Sequence, residues 1–231
     1  MKKWAGSERI GLPPIGVEAK DIYSYGRQNW FALVGHEHRA CREAVALFDE
    51  SSFAKFSLVG KDAERALQWI CANDIAKPIG SLIYTQMLNG RGGIECDLTV
   101  ARIATDEFYI VTGTGFATHD FSWIKRNIPD DCDARLTDVT SSSAVLALMG
   151  PRARDVLSKA TDADVGNHAF PFATLQKFCY RRCAGTRAAR DLCGRVGLGI
   201  ARADRVRFAP VRRANSSWRG SWNKARRLSR D

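Results

Sequence analysis

Two runs of alternating apolar and polar residues, 82–88 and 94–103, flank the glycine turn Gly90–Gly93. Alternation with a period of two on both sides of a glycine-rich turn predicts a β-hairpin. In the second run Ile94, Cys96, Leu98 and Val100 share one face, leaving Glu95, Asp97 and Thr99 on the other. An isolated hairpin is marginal in water, so the apolar face needs further strands and helices to cover it. A third strand is expected at 108–112, after Thr105-Asp106, and others at 55–59 and 143–149.

Helices are expected between these strands. Ala63, Ala66, Leu67, Ile70 and Cys71 recur at helical spacing within 62–71. Ala117, Phe121, Ile124 and Ile128 repeat the pattern, which Pro129 stops. Residues 40–48 are helix-compatible, and Gly150-Pro151 opens a short helix to Leu157. Strands and helices interleave without a regular strand–helix–strand repeat, which predicts an α+β fold. Residues 1–25 read as an irregular lead-in broken at Gly11-Leu12-Pro13-Pro14.

Charge is unevenly placed. The formal net charge is +10, yet residues 177–231 hold 16 Lys+Arg against 3 Asp and no Glu, or +13. The preceding 176 residues therefore carry −3, and the basic excess belongs to the last quarter. Clustered arginines with Trp218 and Trp222 are one route to a nucleic-acid arm. No run is long and apolar enough to span a bilayer, and the basic N-terminus has no apolar stretch behind it. Seven cysteines without a Cys-x-x-Cys pair suggest free thiols. His36-x-His38 lacks partners at zinc-site spacing, so no metal site is expected.

A carboxylate on the polar face of the hairpin has two readings. Asp97 is either a solvated residue on an edge strand or a group on a pocket wall. There it would accept hydrogen bonds from a ligand's N–H groups or steer a proton. Gly92-Gly93 would let the backbone pass close to that ligand. Tyr84-Thr85-Gln86-Met87-Leu88-Asn89, followed by Gly92-Gly93-Ile94-Glu95-Cys96-Asp97-Leu98-Thr99-Val100, resembles the tetrahydrofolate site of the folate-binding aminomethyltransferase family of glycine cleavage. The likeness is closer to the C-terminal half of the FAD-dependent dimethylglycine and sarcosine dehydrogenases. Gly26-Arg27-Gln28-Asn29-Trp30-Phe31, Phe48-Asp49-Glu50-Ser51-Ser52-Phe53-Ala54-Lys55 and Leu146-Ala147-Leu148-Met149-Gly150-Pro151 extend it.

The resemblance implies a folate-binding domain over residues 26–176. It assigns Asp97 to one-carbon transfer beside the folate nitrogens, and Tyr84, Met87, Leu88 and Val111 to enclosing the pterin. Ser52 and Phe172 fall at other wall positions. Tetrahydrofolate is the implied cofactor, with FAD belonging to an N-terminal domain that this chain lacks. The implied partners are folate, a one-carbon donor derived from a small N-methyl amine, and a flavin domain. The implied product is 5,10-methylenetetrahydrofolate. No nucleic-acid or membrane partner is expected, and the expected location is cytoplasmic. Gly113 replaces an asparagine usual in the glycine-cleavage enzyme, which favours the dehydrogenase branch. A stand-alone glycine-cleavage-type aminomethyltransferase and a non-catalytic folate-binding module are the alternatives.

The likeness stops near Gln176. A family segment ending VTYVGELGWEL carries the glutamate that holds the pterin amino group, whereas residues 190–200 read Arg-Asp-Leu-Cys-Gly-Arg-Val-Gly-Leu-Gly-Ile. Codons for these residues, read one base later, can spell the family segment at every position. The expectation is that 177–231 is an out-of-frame, disordered basic tail. An incomplete folate domain of this kind should bind folate weakly and be inactive.

Overall fold

The computed structural model describes residue 20, residues 22–179, and the strand segments 189–193 and 198–202. Its architecture is α+β, with two five-stranded sheets and flanking helices. Most of the 1–25 lead-in and the greater part of the expected disordered tail lie outside the described residues.

One sheet is built from a continuous stretch of chain. Its strands are β2 (Ala54–Val59), β3 (Leu82–Leu88), β4 (Ile94–Arg102), β5 (Glu107–Thr112) and β6 (Arg135–Asp138), in the order β3-β4-β5-β2-β6. Every pairing within it is antiparallel. The second sheet runs β1-β7-β10-β9-β8. Its members are β1 (Ala46–Asp49), β7 (Ser143–Met149), β8 (Leu175–Cys179), β9 (Ala189–Cys193) and β10 (Leu198–Arg202).

Helices α2 (Ala63–Ile70) and α3 (Ala117–Asn127) supply the cover that the hairpin's apolar face requires. Ala63, Ala66, Leu67 and Ile70 are the buried positions of α2, as its spacing predicts. Ala63, Leu67 and Ile70 join Phe56, Leu58, Met87, Cys96, Leu98, Val100, Phe108 and Ile110 in the main core. Phe121 of α3 meets Phe56 edge-on, with ring centroids 5.3 Å apart, the arrangement that aromatic quadrupoles favour.

The expected helix at 40–48 is corrected. Helix α1 runs Phe31–Glu43, and Leu47 and Phe48 instead pair with Leu148 and Ala147 of β7. Pairing with the edge of β7 outweighs the local helical preference. Gly150, at φ 118°, allows this junction, because a Cβ there would stand 2.6 Å from the Ala44 carbonyl oxygen. Helix α4 (Ala153–Ala160) follows that turn.

Contact between the sheets forms at their middle. Val111 of β5 packs with Val145 of β7, flanked by Phe53 and Tyr109. Lys55 is fully buried beside them, on the same face of β2 as its partner Val111 of β5. Its ammonium donates to the carbonyls of Ser51 at 2.9 Å and Ser143 at 2.7 Å. Burial lowers its pKa, opposed by the charges of Asp138 and Asp49.

Candidate functional site

The hairpin turn is tied by one side chain. Asn89 Oδ1 accepts from the backbone N–H groups of Arg91 and Gly93, and Gly92 takes φ 79°. An asparagine that mimics a turn in this way fixes the register of the strands it joins. The pairing Gln86↔Asp97 and Tyr84↔Thr99 follows. One face of the sheet thus carries Tyr84 and Gln86 from β3, Asp97 and Thr99 from β4, Val111 from β5 and Lys55 from β2.

Asp97 is exposed on this face, while its neighbours Cys96 and Leu98 are buried beneath it. The alternation therefore places the carboxylate where the sequence puts it. Gln86 Nε2 donates to Asp97 Oδ1 at 3.3 Å, and no other hydrogen bond or ion pair holds Asp97 among the described residues. The β4–β5 pairing ends at Thr99↔Val111, and β5 itself ends at Thr112, with Gly113 following. Asp97 Oδ2 thus keeps an open flank.

Apolar groups rim this flank. Tyr84 and Leu88 of β3 are roughly half exposed, and Phe116 is 63% exposed. Phe116 lies near Gly113, whose Cβ position would be 3.7 Å from the Phe116 ring. Ser52 sits at the same end, its hydroxyl accepting from Thr114 Oγ1 at 3.1 Å. Phe172 is also exposed, in the loop that bonds to the start of β3 through Leu82 N–H and the Ala173 carbonyl. An exposed carboxylate set among flat or apolar side chains can grip a planar heterocycle by its N–H groups.

Two expected wall residues are less accessible. Val111 belongs to the same face but is 8% exposed, under Val145 and Phe53. Met87 is fully buried on the opposite face with the main core. Its register partner is Cys96, not Asp97. The structure thus brings Tyr84, Leu88, Asp97 and Ser52 to one exposed face and end of the sheet, and keeps Met87 from it. Phe116 escaped the sequence reading, because nothing local says that the short helical turn after Gly113 brings its ring back over that glycine.

A second group of polar residues lies across the same strand. Asp120 of α3 is 1% exposed and accepts from the Thr112 hydroxyl at 2.5 Å. His119 Nδ1 is 3.0 Å from Asp120 Oδ1, and His119 Nε2 is 3.5 Å from Glu95 Oε2. The thiol of Cys96 also meets Asp120, and burial together with that carboxylate raises its pKa well above the ordinary thiol value. Cysteine and histidine 23 positions apart carried no spacing signal.

Residues 9–190 match the GCVT N-terminal domain family. Mouse mitochondrial sarcosine dehydrogenase is 36% identical over 226 residues, covering 86% of this chain and 24% of that protein. Rat mitochondrial dimethylglycine dehydrogenase is 36% identical over 150 residues, covering 64% and 17%. The mouse mitochondrial pyruvate dehydrogenase phosphatase regulatory subunit is 37% identical over 170 residues, covering 73% and 19%. The chain thus spans about a quarter or less of the length of these relatives. The crystal structure of the glycine cleavage system aminomethyltransferase T from Bartonella henselae superposes with a TM-score of 0.58 at 25% identity. That superposition covers 79% of this chain and 49% of the other. Matched along most of its length by sequence, and by fold to an aminomethyltransferase, this chain belongs to the GCVT N-terminal domain family, related to the sarcosine and dimethylglycine dehydrogenases.

Proposed function

We propose that the exposed face around Asp97 binds tetrahydrofolate, and that the chain is the folate part of a demethylating dehydrogenase system. The observation that carries this reading is Asp97 itself, an exposed carboxylate bonded to Gln86 alone among the described side chains. The residues present fit the group. Tyr84, Leu88 and Phe116 offer partly exposed apolar surface.

Reduced folate supplies nitrogens that accept a one-carbon unit from an N-methyl amine. Asp97 accepts hydrogen bonds from ring N–H groups and holds or releases a proton beside them. Gln86 orients one carboxylate oxygen and leaves the other for the ligand. Tyr84 and Leu88 press on the ring and keep water from its faces. A separate flavin domain is the proposed source of the oxidised donor.

The segment after Gln176 bears on affinity. We propose that it is an out-of-frame reading of the family's own gene, which costs the site its second carboxylate clamp. The experiment is tetrahydrofolate titration of three chains by calorimetry under reducing conditions. They are this chain, the chain with residues 183–200 restored to the family frame, and the restored chain carrying Asp97→Asn. The restored chain should bind more tightly than this one. Asp97→Asn should then cost about 10-fold or more, the loss of a charged hydrogen bond worth roughly 1.5–3 kcal/mol. Equal binding by the Asp97→Asn chain would remove Asp97 from the site. The gene's nucleotide sequence across codon 177 tests the frame separately.

Similarity to a phosphatase regulatory subunit supports a second reading, a folate-responsive module without turnover. Binding by the intact chain without one-carbon transfer, in a gene whose frame proves intact, would favour it.

A further inference from the structure

We infer that Cys96, His119 and Asp120 form a divalent metal site of the zinc class, on the face of β4 opposite Asp97. One donor atom from each of the three lies within 4.8 Å of the others. The separation of His119 Nδ1 and Asp120 Oδ1, 3.0 Å, is close to what one ion requires. Two ligand atoms each about 2 Å from a tetrahedral zinc stand about 3.3 Å apart. Thiolate, imidazole and carboxylate together are a donor set that zinc takes readily.

The surroundings of the three groups argue further than their proximity. Each hard ligand has a partner that fixes its orientation. Thr112 holds Asp120 Oδ2 at 2.5 Å and leaves Oδ1 turned to the cluster. Glu95 Oε2 faces His119 Nε2, and Asn89 Nδ2 in turn anchors Glu95 Oε1 at 2.8 Å. A carboxylate on the far nitrogen is the usual support of a metal-bound histidine. Trp123 lies parallel to the His119 ring within 14°, at 6.4 Å.

Both imidazole nitrogens therefore face carboxylate oxygens, whereas a neutral ring carries one N–H. The shorter approach is Nδ1 to Asp120 Oδ1, at 3.0 Å, which makes Nδ1 the nitrogen placed to offer an ion its lone pair. A cation between Nδ1 and Oδ1 would take the place of a hydrogen there, with the Cys96 sulfur on its third side. On binding, the Cys96 thiol gives its proton to solvent and enters as thiolate. His119 is 45% exposed, so water can reach a fourth position.

A bulge makes the arrangement possible. Leu88 pairs with Ile94 and Met87 with Cys96, so Glu95 has no register partner on β3. The irregularity lets two successive residues, Glu95 and Cys96, both reach α3. An ion here would pin β4 one residue before Asp97, yet the inference stands independently of what Asp97 binds.

The test is metal uptake by the full chain, with Zn2+ measured by equilibrium dialysis and Co2+ by absorption. Wild type should take up one ion per chain and show thiolate-to-cobalt charge transfer. Cys96→Ser should lose that band, and His119→Ala, at a half-exposed position, should lose tight binding while keeping its circular dichroism. Glu95→Gln should weaken affinity about 10–100-fold. No stoichiometric uptake by wild type would overturn the site. Charge transfer that survives Cys96→Ser would overturn it as well, by assigning the ion to another cysteine.

Discussion

Consecutive residues of β4 live in different media. Cys96 is 1% exposed in the main core, and Asp97 is exposed on the other face. Substitution of Asp97 should therefore change ligand affinity with little effect on stability, as for surface positions generally. Cys71 behaves oppositely. Burial pushes its thiol from 9.0 up to about 12, with a hydrogen bond to Thr85 opposing the shift. The folded chain keeps this proton when the unfolded chain has lost it. Its contribution to stability is thus fully present below pH 9 and falls away as the pH rises toward 12. Denaturant midpoints measured across that window should decline less steeply for Cys71→Ala than for wild type. Lys55 works in the other direction, since its burial penalty is relieved as alkali neutralises it. The comparison of variant with wild type isolates the thiol. Alternation alone placed Asp97, because one register slip would bury it and expose Leu98. Met87 lies on the opposite face for the same reason. Its neighbour Gln86, rather than Met87, shares a face with Asp97.

At the level of elements, turns decide more than propensities. Gly60 joins β2 to α2 at φ 149°, and a Cβ there would lie 2.1 Å from the Asp133 carbonyl oxygen. Backbone atoms cannot yield as a side chain tip can. Gly60→Ala should lower stability by about 1–3 kcal/mol or more, read from urea midpoints, with the circular dichroism of the remaining fold retained. Long, strongly patterned elements were legible: β3, β4, β5, β7, α2 and α3 all lie where their periodicity places them. Short ones were not. The polar strand Arg135–Asp138 carries no alternation of burial strong enough to read, and forms because the edge of β2 offers it hydrogen bonds. β1 was hidden by a helical pattern that continues past Glu43. Likewise, the Cys96–His119–Asp120 cluster depends on a helix returning over a strand bulge, which no residue spacing announces.

Across the whole molecule, the two sheets differ in how far apart in sequence their strands lie. All strands of the Asp97 sheet fall within residues 54–138, whereas the other sheet joins β1 to β7 and then to residues 175–202. Hydrogen exchange should separate them. Amides of β4 and β5, interior strands beside the main core, are expected to exchange slowest, and those of β8 and β9 much sooner. Equal protection in the two sheets would show them to open as one unit. The difference also has a consequence during synthesis. Chains fold from the N-terminus as they emerge from the ribosome. The Asp97 sheet is fully translated by residue 138, about forty codons before Lys177. A nascent chain can thus close the strands around its carboxylate before the ribosome reaches the point where the sequence changes character. Whatever the later codons spell, they arrive at a face already made.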